Sequence, residues 1–222
     1  MTPEPLPNPP GTSGARLATV PPAGPYWRIW HPSMHTTAAN QPRTYGPLHR
    51  FDPHPAGPPA EHEGVYVLYG SLAFEVSALE VFARSGTLRG AVVEVCPRWR
   101  GSLIGAPRSS RLFDLTDQQS AARIGASPRL GDTNLDTVGY ATTQAWGRFF
   151  RAASGVDGVR FLSCRAADRA GIATVLLRRR AIGAIRDQHR LTDDALWPYL
   201  VHTLDAVGVG VTRIDRCPRC AT

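Results

Sequence analysis

The chain has 222 residues, of which 42% are hydrophobic and 19% are charged, a balance typical of a folded globular protein. Its net charge is +7 and all 25 basic residues are arginines, but no long basic run marks a nucleic-acid-binding arm. There is no signal-peptide pattern and no apolar stretch long enough to span a membrane. We therefore expect a cytoplasmic protein with reduced cysteines.

The N-terminal composition predicts one folded domain between two tails. Residues 1–24 are rich in Pro, Gly, Thr and Ala without apolar periodicity, which predicts a disordered tail. A single domain is expected over residues 25–216, followed by a short C-terminal tail over residues 217–222.

Apolar periodicity predicts a mixture of strands and helices. The first strand is predicted over 26–31, and residues 32–60 are predicted to be mostly loop. A strand over 65–69 precedes a helix over 72–84, with Ser71 as its N-cap. Later strands are predicted over 91–96, 112–115, 158–162, 172–177 and 207–214. Later helices are predicted over 116–124, with Thr116 as its N-cap, over 139–153, and over 192–205, with Thr192 as its N-cap. The varied connections predict an α+β (mixed α/β) fold rather than a regular doubly wound sheet.

Cys217 and Cys220 form a C-x-x-C motif near the C-terminus. This spacing fits half of a zinc site or a redox pair, but no second cysteine pair follows zinc-finger spacing and no βαβ context surrounds the motif. The seven histidines show no H-E-x-x-H spacing. The sequence therefore predicts no metal site, and the motif is interpreted as part of the tail.

Several short segments of the chain occur in a characteristic order. They begin with Arg28, continue through Arg50-Phe51-Asp52-Pro53 and residues 64–69, and include Glu80 within residues 78–80. The second half contains residues 112–116, 121–125, 143–146 and 155–159, and ends with Arg160-Phe161-Leu162-Ser163. In their order and spacing these segments resemble the RES domain family, and the resemblance covers about residues 26–180.

The resemblance implies a fold, an activity and a partner. RES domains are similar to ADP-ribosyltransferase toxins, with a central β-sheet and surrounding helices. They are the toxins of toxin–antitoxin pairs, usually neutralised by an Xre-type antitoxin. They degrade NAD⁺ by phosphorolysis or hydrolysis, so the implied substrates are NAD⁺ and inorganic phosphate, with no other cofactor. Assembly as a homodimer or as a toxin–antitoxin hetero-oligomer stays open.

The matching residues suit cleavage of the nicotinamide–ribose bond, which passes through an oxocarbenium-like state. The carboxylate of Glu80 is the candidate to stabilise that positive charge. Tyr69 is expected to stack on the ligand or donate a hydrogen bond, and Arg28 and Arg50 are expected to grip phosphate oxygens. Ser163 is expected to hydrogen-bond the ligand. We assign Glu80, Tyr69 and Arg50 as catalytic candidates, and Arg28, Arg50, Tyr69 and Ser163 as binding candidates.

Two other functions remain compatible with the sequence. A mono-ADP-ribosyltransferase would use the same residues to hold NAD⁺ and a protein side chain as the acceptor. A non-catalytic arginine-rich module would instead bind nucleic acid or an acidic protein, with strong salt dependence in the first case. Three residues before Arg50 are further candidates to line a pocket: Arg43, Tyr45 and His49.

Overall fold

A computed structural model describes residues 6–11, 17–32, 36–83, 90–132, 140–165 and 171–220. Its strands are β1 (Tyr26–Trp30), β2 (Tyr45–Gly46), β3 (Ala60–Glu61), β4 (Leu68–Ser71), β5 (Val92–Val95), β6 (Arg100–Ile104), β7 (Leu112–Asp114), β8 (Gly158–Leu162), β9 (Ile172–Leu176), β10 (Ile185–Arg190) and β11 (Gly210–Arg213). Its helices are α1 (Phe74–Phe82), α2 (Gln118–Arg123), α3 (Arg129–Asp132), α4 (Ala141–Ala152) and α5 (Trp197–Asp205), with 3₁₀ turns at Arg179–Ala181 and Pro218–Cys220.

Seven strands form a central mixed sheet in the order β10-β6-β1-β4-β9-β8-β7. Neighbouring strands run antiparallel except β7 and β8, which are parallel. Strands β5 and β11 form a separate parallel pair, and β2 pairs with β3 antiparallel. This architecture confirms the predicted mixed α+β class. Among the residues described, no helix combines the length and apolar character that crossing a membrane requires.

The largest apolar cluster packs α4 against the central sheet and the loop that precedes β3. The ring of Phe150 stacks on Phe113 with centroids 5.0 Å apart, and Phe51 contacts both Phe150 and Phe161. Phe51 has a φ of 59°, and a Cβ at Gly147 would lie 2.3 Å from its carbonyl oxygen. Only a glycine in α4 therefore allows this close approach, which holds the segment around Arg50 against the core.

A second apolar cluster fixes α1. Phe74, Leu79 and Phe82 of this helix pack in one buried group with Trp99 and with Leu200 of α5. The rings of Phe82 and Trp99 lie 4.9 Å apart. Because α1 is held by its apolar residues, the polar side chains on its remaining side are carried in a fixed position.

The N-terminal segment differs from the prediction of a disordered tail. Val20 pairs through its backbone with Leu112, and Leu17 is buried with the largest cluster. Trp146 Nε1 donates a hydrogen bond to the carbonyl of Pro7 at 2.8 Å. A proline-rich segment without periodicity can still pack against the domain when the fold offers it a backbone partner and apolar neighbours. Residues 1–5 and 12–16 lie outside the described residues.

Several helix starts differ from the predicted caps. Ser71 belongs to β4, where its hydroxyl donates to the carbonyl of Ile172 at 2.6 Å, and the N-cap of α1 is Ala73. Asp117 replaces Thr116 as the cap of α2, because its carboxylate accepts two amide hydrogen bonds. Helix α5 begins at Trp197 rather than near Thr192. The proline that follows Trp197 lies in the first turn of this helix, a position that suits proline. The predicted ends at residues 84 and 139 lie outside the described residues.

Two strands of the central sheet were absent from the sequence prediction, as were the two-residue strands β2 and β3. β10 is an edge strand whose side chains are mostly exposed, so it shows no apolar alternation. β6 contains Gly101, where packing leaves no room for a side chain, because a Cβ there would lie 2.8 Å from Leu196 Cδ1. Both strands are therefore determined by the neighbours that they contact in the folded domain, and not by a local pattern of apolar residues.

Candidate active site

A cavity of about 510 Å³ opens beside β1, β4 and α1. Among the described residues that line it, Glu80 contributes the single carboxylate. Five arginines also line it: Arg28, Arg43, Arg50, Arg165 and Arg219. The cavity is therefore strongly electropositive, with one acidic group, and it suits an anionic ligand that carries a local positive charge.

Glu80 is oriented by a buried serine. It lies in the last turn of α1, and Ser163, which is fully buried, follows β8. Ser163 Oγ donates to Glu80 Oε1 at 2.5 Å and accepts from the amide of Arg165 at 3.2 Å. Because the amide uses a lone pair of the serine oxygen, the hydroxyl proton is directed to the carboxylate. Ser163 therefore lies behind Glu80 rather than among the residues that line the cavity, and its hydroxyl orients the carboxylate.

Asp52 organises the loop that carries Arg50. Its fully buried carboxylate accepts both hydrogen bonds of Arg43 Nη2, at 2.8 and 2.7 Å, and the amides of Leu48 and His49 at 2.6 and 3.0 Å. Burial alone would raise the pKa of Asp52, but the charge of Arg43 and these hydrogen bonds hold it below its ordinary value. The carboxylate is thus ionised and binds the loop to Arg43.

Tyr69 is attached to the same carboxylate. Its hydroxyl donates to Asp52 Oδ1 at 2.5 Å and also contacts the carbonyl oxygen of Arg50. Burial and the negative charge of Asp52 raise the pKa of Tyr69 well above its ordinary value, so the phenol stays protonated. The ring lines the cavity with its edge near His49, whose ring centroid is 6.1 Å away. Tyr69 therefore presents its ring to the cavity, while its hydroxyl holds the loop.

The two predicted phosphate-binding arginines both line the cavity. Arg28 projects from β1 and donates to the carbonyls of Ala39 and Gln41, the latter at 2.8 Å. Burial, followed by the nearby charge of Arg43, lowers the pKa of Arg28 to about 10, so it remains charged at neutral pH. Arg50 is 9% exposed and its Nη2 lies 3.3 Å from Cys164 Sγ.

The structure brings together every predicted site residue: Arg28, Arg50, Tyr69 and Glu80 line the cavity, and Ser163 lies directly behind Glu80. Of the three loop candidates, Arg43 and His49 line the cavity and Tyr45 is not among its lining residues.

Sequence reasoning missed several cavity residues. Trp99, Tyr140, Arg165 and Arg219 line the cavity, and Arg219 lies over the ring of Trp99 with its guanidinium carbon 5.3 Å from the centroid. Arg165 is two residues after Ser163, so proximity to a site residue was an available signal. Arg219 comes from the segment interpreted as a tail, and no local pattern indicated its place.

A known protein family and a solved structure are similar to this chain. The family model of the RES domain matches residues 25–201, which is well over half of the chain. A chain in the crystal structure of the M. tuberculosis MbcT–MbcA toxin–antitoxin complex is similar in structure, at 16% sequence identity and a TM-score of 0.48, over 82% of this chain and 91% of that one. No curated protein matches the sequence. On the extent of the family match, this chain belongs to the RES domain family.

Proposed function

We propose that the cavity binds NAD⁺ and that the bond between its nicotinamide and ribose is broken there. The observation that carries the proposal is the position of one carboxylate, Glu80, oriented by a buried serine in a cavity lined by five arginines. Membership of the RES domain family supports the same activity, because the resemblance implies NAD⁺ degradation.

Charge and size favour a dinucleotide. NAD⁺ carries two negative charges on its pyrophosphate and one positive charge on its nicotinamide ring. The planar guanidinium groups of Arg28 and Arg50 suit paired contacts with phosphate oxygens. The cavity volume of about 510 Å³ falls within the range of about 300–1,000 Å³ that is usual for small-molecule sites. Tyr69 adds an aromatic ring on which a flat heterocycle can stack.

The proposed reaction breaks the bond between ribose C1′ and the nicotinamide nitrogen. The bonding electron pair leaves with that nitrogen, so the nicotinamide departs neutral and needs no protonation. Positive charge develops on the ribose and is stabilised by the carboxylate of Glu80. An oxygen of inorganic phosphate then bonds to the same carbon, which is numbered C1″ in the product, ADP-ribose 1″-phosphate. With water as the acceptor, the products are ADP-ribose and a proton.

We further propose that the protein acts as the toxin of a toxin–antitoxin pair. An enzyme that destroys NAD⁺ is harmful to its own cell unless a partner blocks it. The net charge of +7 favours an acidic partner surface, and the family resemblance favours an Xre-type antitoxin.

The test incubates the purified protein with NAD⁺, with and without inorganic phosphate, and measures nicotinamide and the ribose-containing product. Release that depends on phosphate supports phosphorolysis, and release without phosphate supports hydrolysis. Labelled NAD⁺ that ends on a protein would instead establish ADP-ribosyl transfer. A folded protein that consumes no NAD⁺ but binds nucleic acid in a salt-dependent way would overturn the enzymatic proposal.

Expression in cells tests the toxin assignment separately. Wild-type protein is expected to deplete NAD⁺ and stop growth, whereas Glu80→Gln is expected to do neither at equal abundance. Glu75→Gln alters an exposed carboxylate in the first turn of the same helix and is the matched control. Growth arrest by Glu80→Gln with unchanged NAD⁺ would show that toxicity does not arise from this site.

A further inference from the structure

Four metal-binding side chains meet at one point outside the catalytic candidates. His31 directly follows β1, Cys96 directly follows β5, and Cys217 and Cys220 come from the segment after β11. The ligand atoms of all four lie within 4.8 Å of one another. The C-x-x-C motif therefore has two partners that are distant in sequence, which is why cysteine spacing alone indicated no metal site.

The distances fit tetrahedral coordination. Zinc bonds of about 2.3 Å to sulfur and about 2.0–2.1 Å to nitrogen place tetrahedral ligands about 3.8 Å apart for two sulfurs and about 3.6 Å apart for sulfur and nitrogen. The three sulfur–sulfur distances among Cys96, Cys217 and Cys220 are 3.4, 3.4 and 3.8 Å. The distances from His31 Nε2 to the three sulfurs are 3.4, 3.6 and 3.7 Å. All six therefore suit one ion at the centre.

The surrounding groups orient the ligands as a metal site requires. His31 Nδ1 lies 2.8 Å from the carbonyl of Pro32, so it is placed to donate its proton there and leave a lone pair on Nε2. The backbone amide of Arg98 donates a hydrogen bond to the sulfur of Cys96, and the backbone amide of Arg219 donates one to the sulfur of Cys217. Each sulfur thus accepts from the residue two positions later in the chain. Such amides stabilise negative charge on a thiolate.

We propose that His31, Cys96, Cys217 and Cys220 bind one Zn²⁺ ion in a closed, structural Cys₃His site. Three sulfurs and one imidazole are the donor set that zinc takes in structural sites. Four protein ligands leave no open position for water or substrate, so the ion has no direct part in bond cleavage. Binding releases the thiol protons and makes the folded state more stable.

The zinc site would also shape the NAD⁺ cavity. The ion would join the end of β1 to the end of the parallel pair of β5 and β11, from which Cys96 and the C-terminal segment follow. Arg219 lies between the last two ligands in sequence, contacts the face of Trp99, and lines the cavity, as do His31 and Trp99 themselves. Metal binding therefore holds Arg219 at the cavity wall.

Metal content gives the direct test. Protein expressed without a metal-binding tag, in zinc-supplemented medium, is expected to contain about one zinc per chain by elemental mass spectrometry. Cys96→Ser, Cys217→Ser and His31→Ala are each expected to lower this below about 0.2 per chain. Cys164→Ser and His202→Ala are the matched controls, since Cys164 lies outside the cluster and His202 is exposed on α5, and both should retain zinc.

A second measurement on the wild-type chain covers variants that fail to fold. Zinc is removed with a chelator under reducing conditions and replaced by Co²⁺, which absorbs strongly in the visible region when tetrahedral and bound by thiolates. The expected result is a saturable spectrum at one equivalent and a lower Tm for the metal-free protein, restored by Zn²⁺. Wild-type protein that holds no zinc and takes up neither ion, or that contains a Cys217–Cys220 disulfide when isolated, would overturn the proposal.

Discussion

Ser163 donates its hydroxyl proton to Glu80 at 2.5 Å, across 83 residues of sequence. The serine is fully buried at the end of β8, whereas the carboxylate reaches the cavity from α1. One hydrogen bond thus links α1 to the end of β8, two elements that come together only in the folded domain. Because this bond fixes one carboxylate oxygen, the orientation of Glu80 depends on both elements.

Glu80→Gln is expected to lower the rate of NAD⁺ cleavage by about 10²–10³-fold, because it removes the negative charge while keeping the shape of the side chain. The loss should appear in kcat rather than in KM, since the positive charge develops in the transition state. Glu75→Gln, on the exposed side of α1, should leave both constants unchanged. Normal kcat in a folded Glu80→Gln protein would remove Glu80 from the mechanism.

Ser163→Ala is expected to lower kcat by about 10- to 100-fold, because Glu80 loses its orienting donor. A double-mutant cycle separates this positioning role from a general effect on the fold. Combined with Glu80→Gln, Ser163→Ala should cause little further loss, since the two residues act as one unit. Ser110→Ala, at a buried serine outside the cavity lining, is the control and should not change kcat. Additive losses in the cycle would contradict the positioning role.

Asp52→Asn is expected to destabilise the fold by about 3–5 kcal/mol, because Arg43 would lose the counter-charge to which it is bound in a largely buried site. Urea unfolding of the two proteins measures the difference. The control is Asp194→Asn, whose carboxylate is 97% exposed and pairs with Arg213 at the surface. That surface change should stay within about 0.5 kcal/mol. If Asp52→Asn lowered the free energy of unfolding as little as Asp194→Asn does, the Asp52–Arg43 pair would not hold the loop.

The same carboxylate predicts a pH dependence. The folded-state pKa of Asp52 lies below the ordinary value of 3.8, so its stabilisation is present above that value and is lost as pH falls through the folded pKa. The difference in unfolding free energy between wild type and Asp52→Asn should therefore be constant near neutral pH and shrink below about pH 4. A difference that grows as the pH falls would contradict this assignment. Urea titrations at several pH values provide the measurement.

The order of secondary-structure elements was largely predictable where packing is amphipathic. α4 was expected over 139–153 and occupies Ala141–Ala152, because Trp146, Phe149 and Phe150 mark its buried side. β10 was missed since an exposed edge strand needs only backbone partners, and its residues carry no apolar alternation. Apolar patterns in the sequence indicate which side of an element is buried. They give no signal for a strand that forms through backbone pairing alone.

The residues that meet at the cavity were predictable from a resemblance, but the hydrogen bonds among them were not. Glu80 and Ser163 were assigned as separate contacts to a ligand, whereas the fold joins them to each other. Asp52 was noticed only as part of a motif, although it accepts from Arg43 and Tyr69. The meeting of distant cysteines and a histidine likewise requires the tertiary fold, because no spacing rule relates strand ends that are far apart in sequence.

The packed N-terminal segment gives a last prediction. Leu17 is 8% exposed within the largest apolar cluster, so Leu17→Ala should lower the free energy of unfolding by about 2–3 kcal/mol. Leu72→Ala is the control, because Leu72 is 37% exposed and its truncation should cost less than about 1 kcal/mol. Both values come from urea unfolding of the full chain. If Leu17→Ala matched Leu72→Ala, the packing of Leu17 would add little to stability, and the N-terminal segment would behave as the disordered tail that its composition indicates.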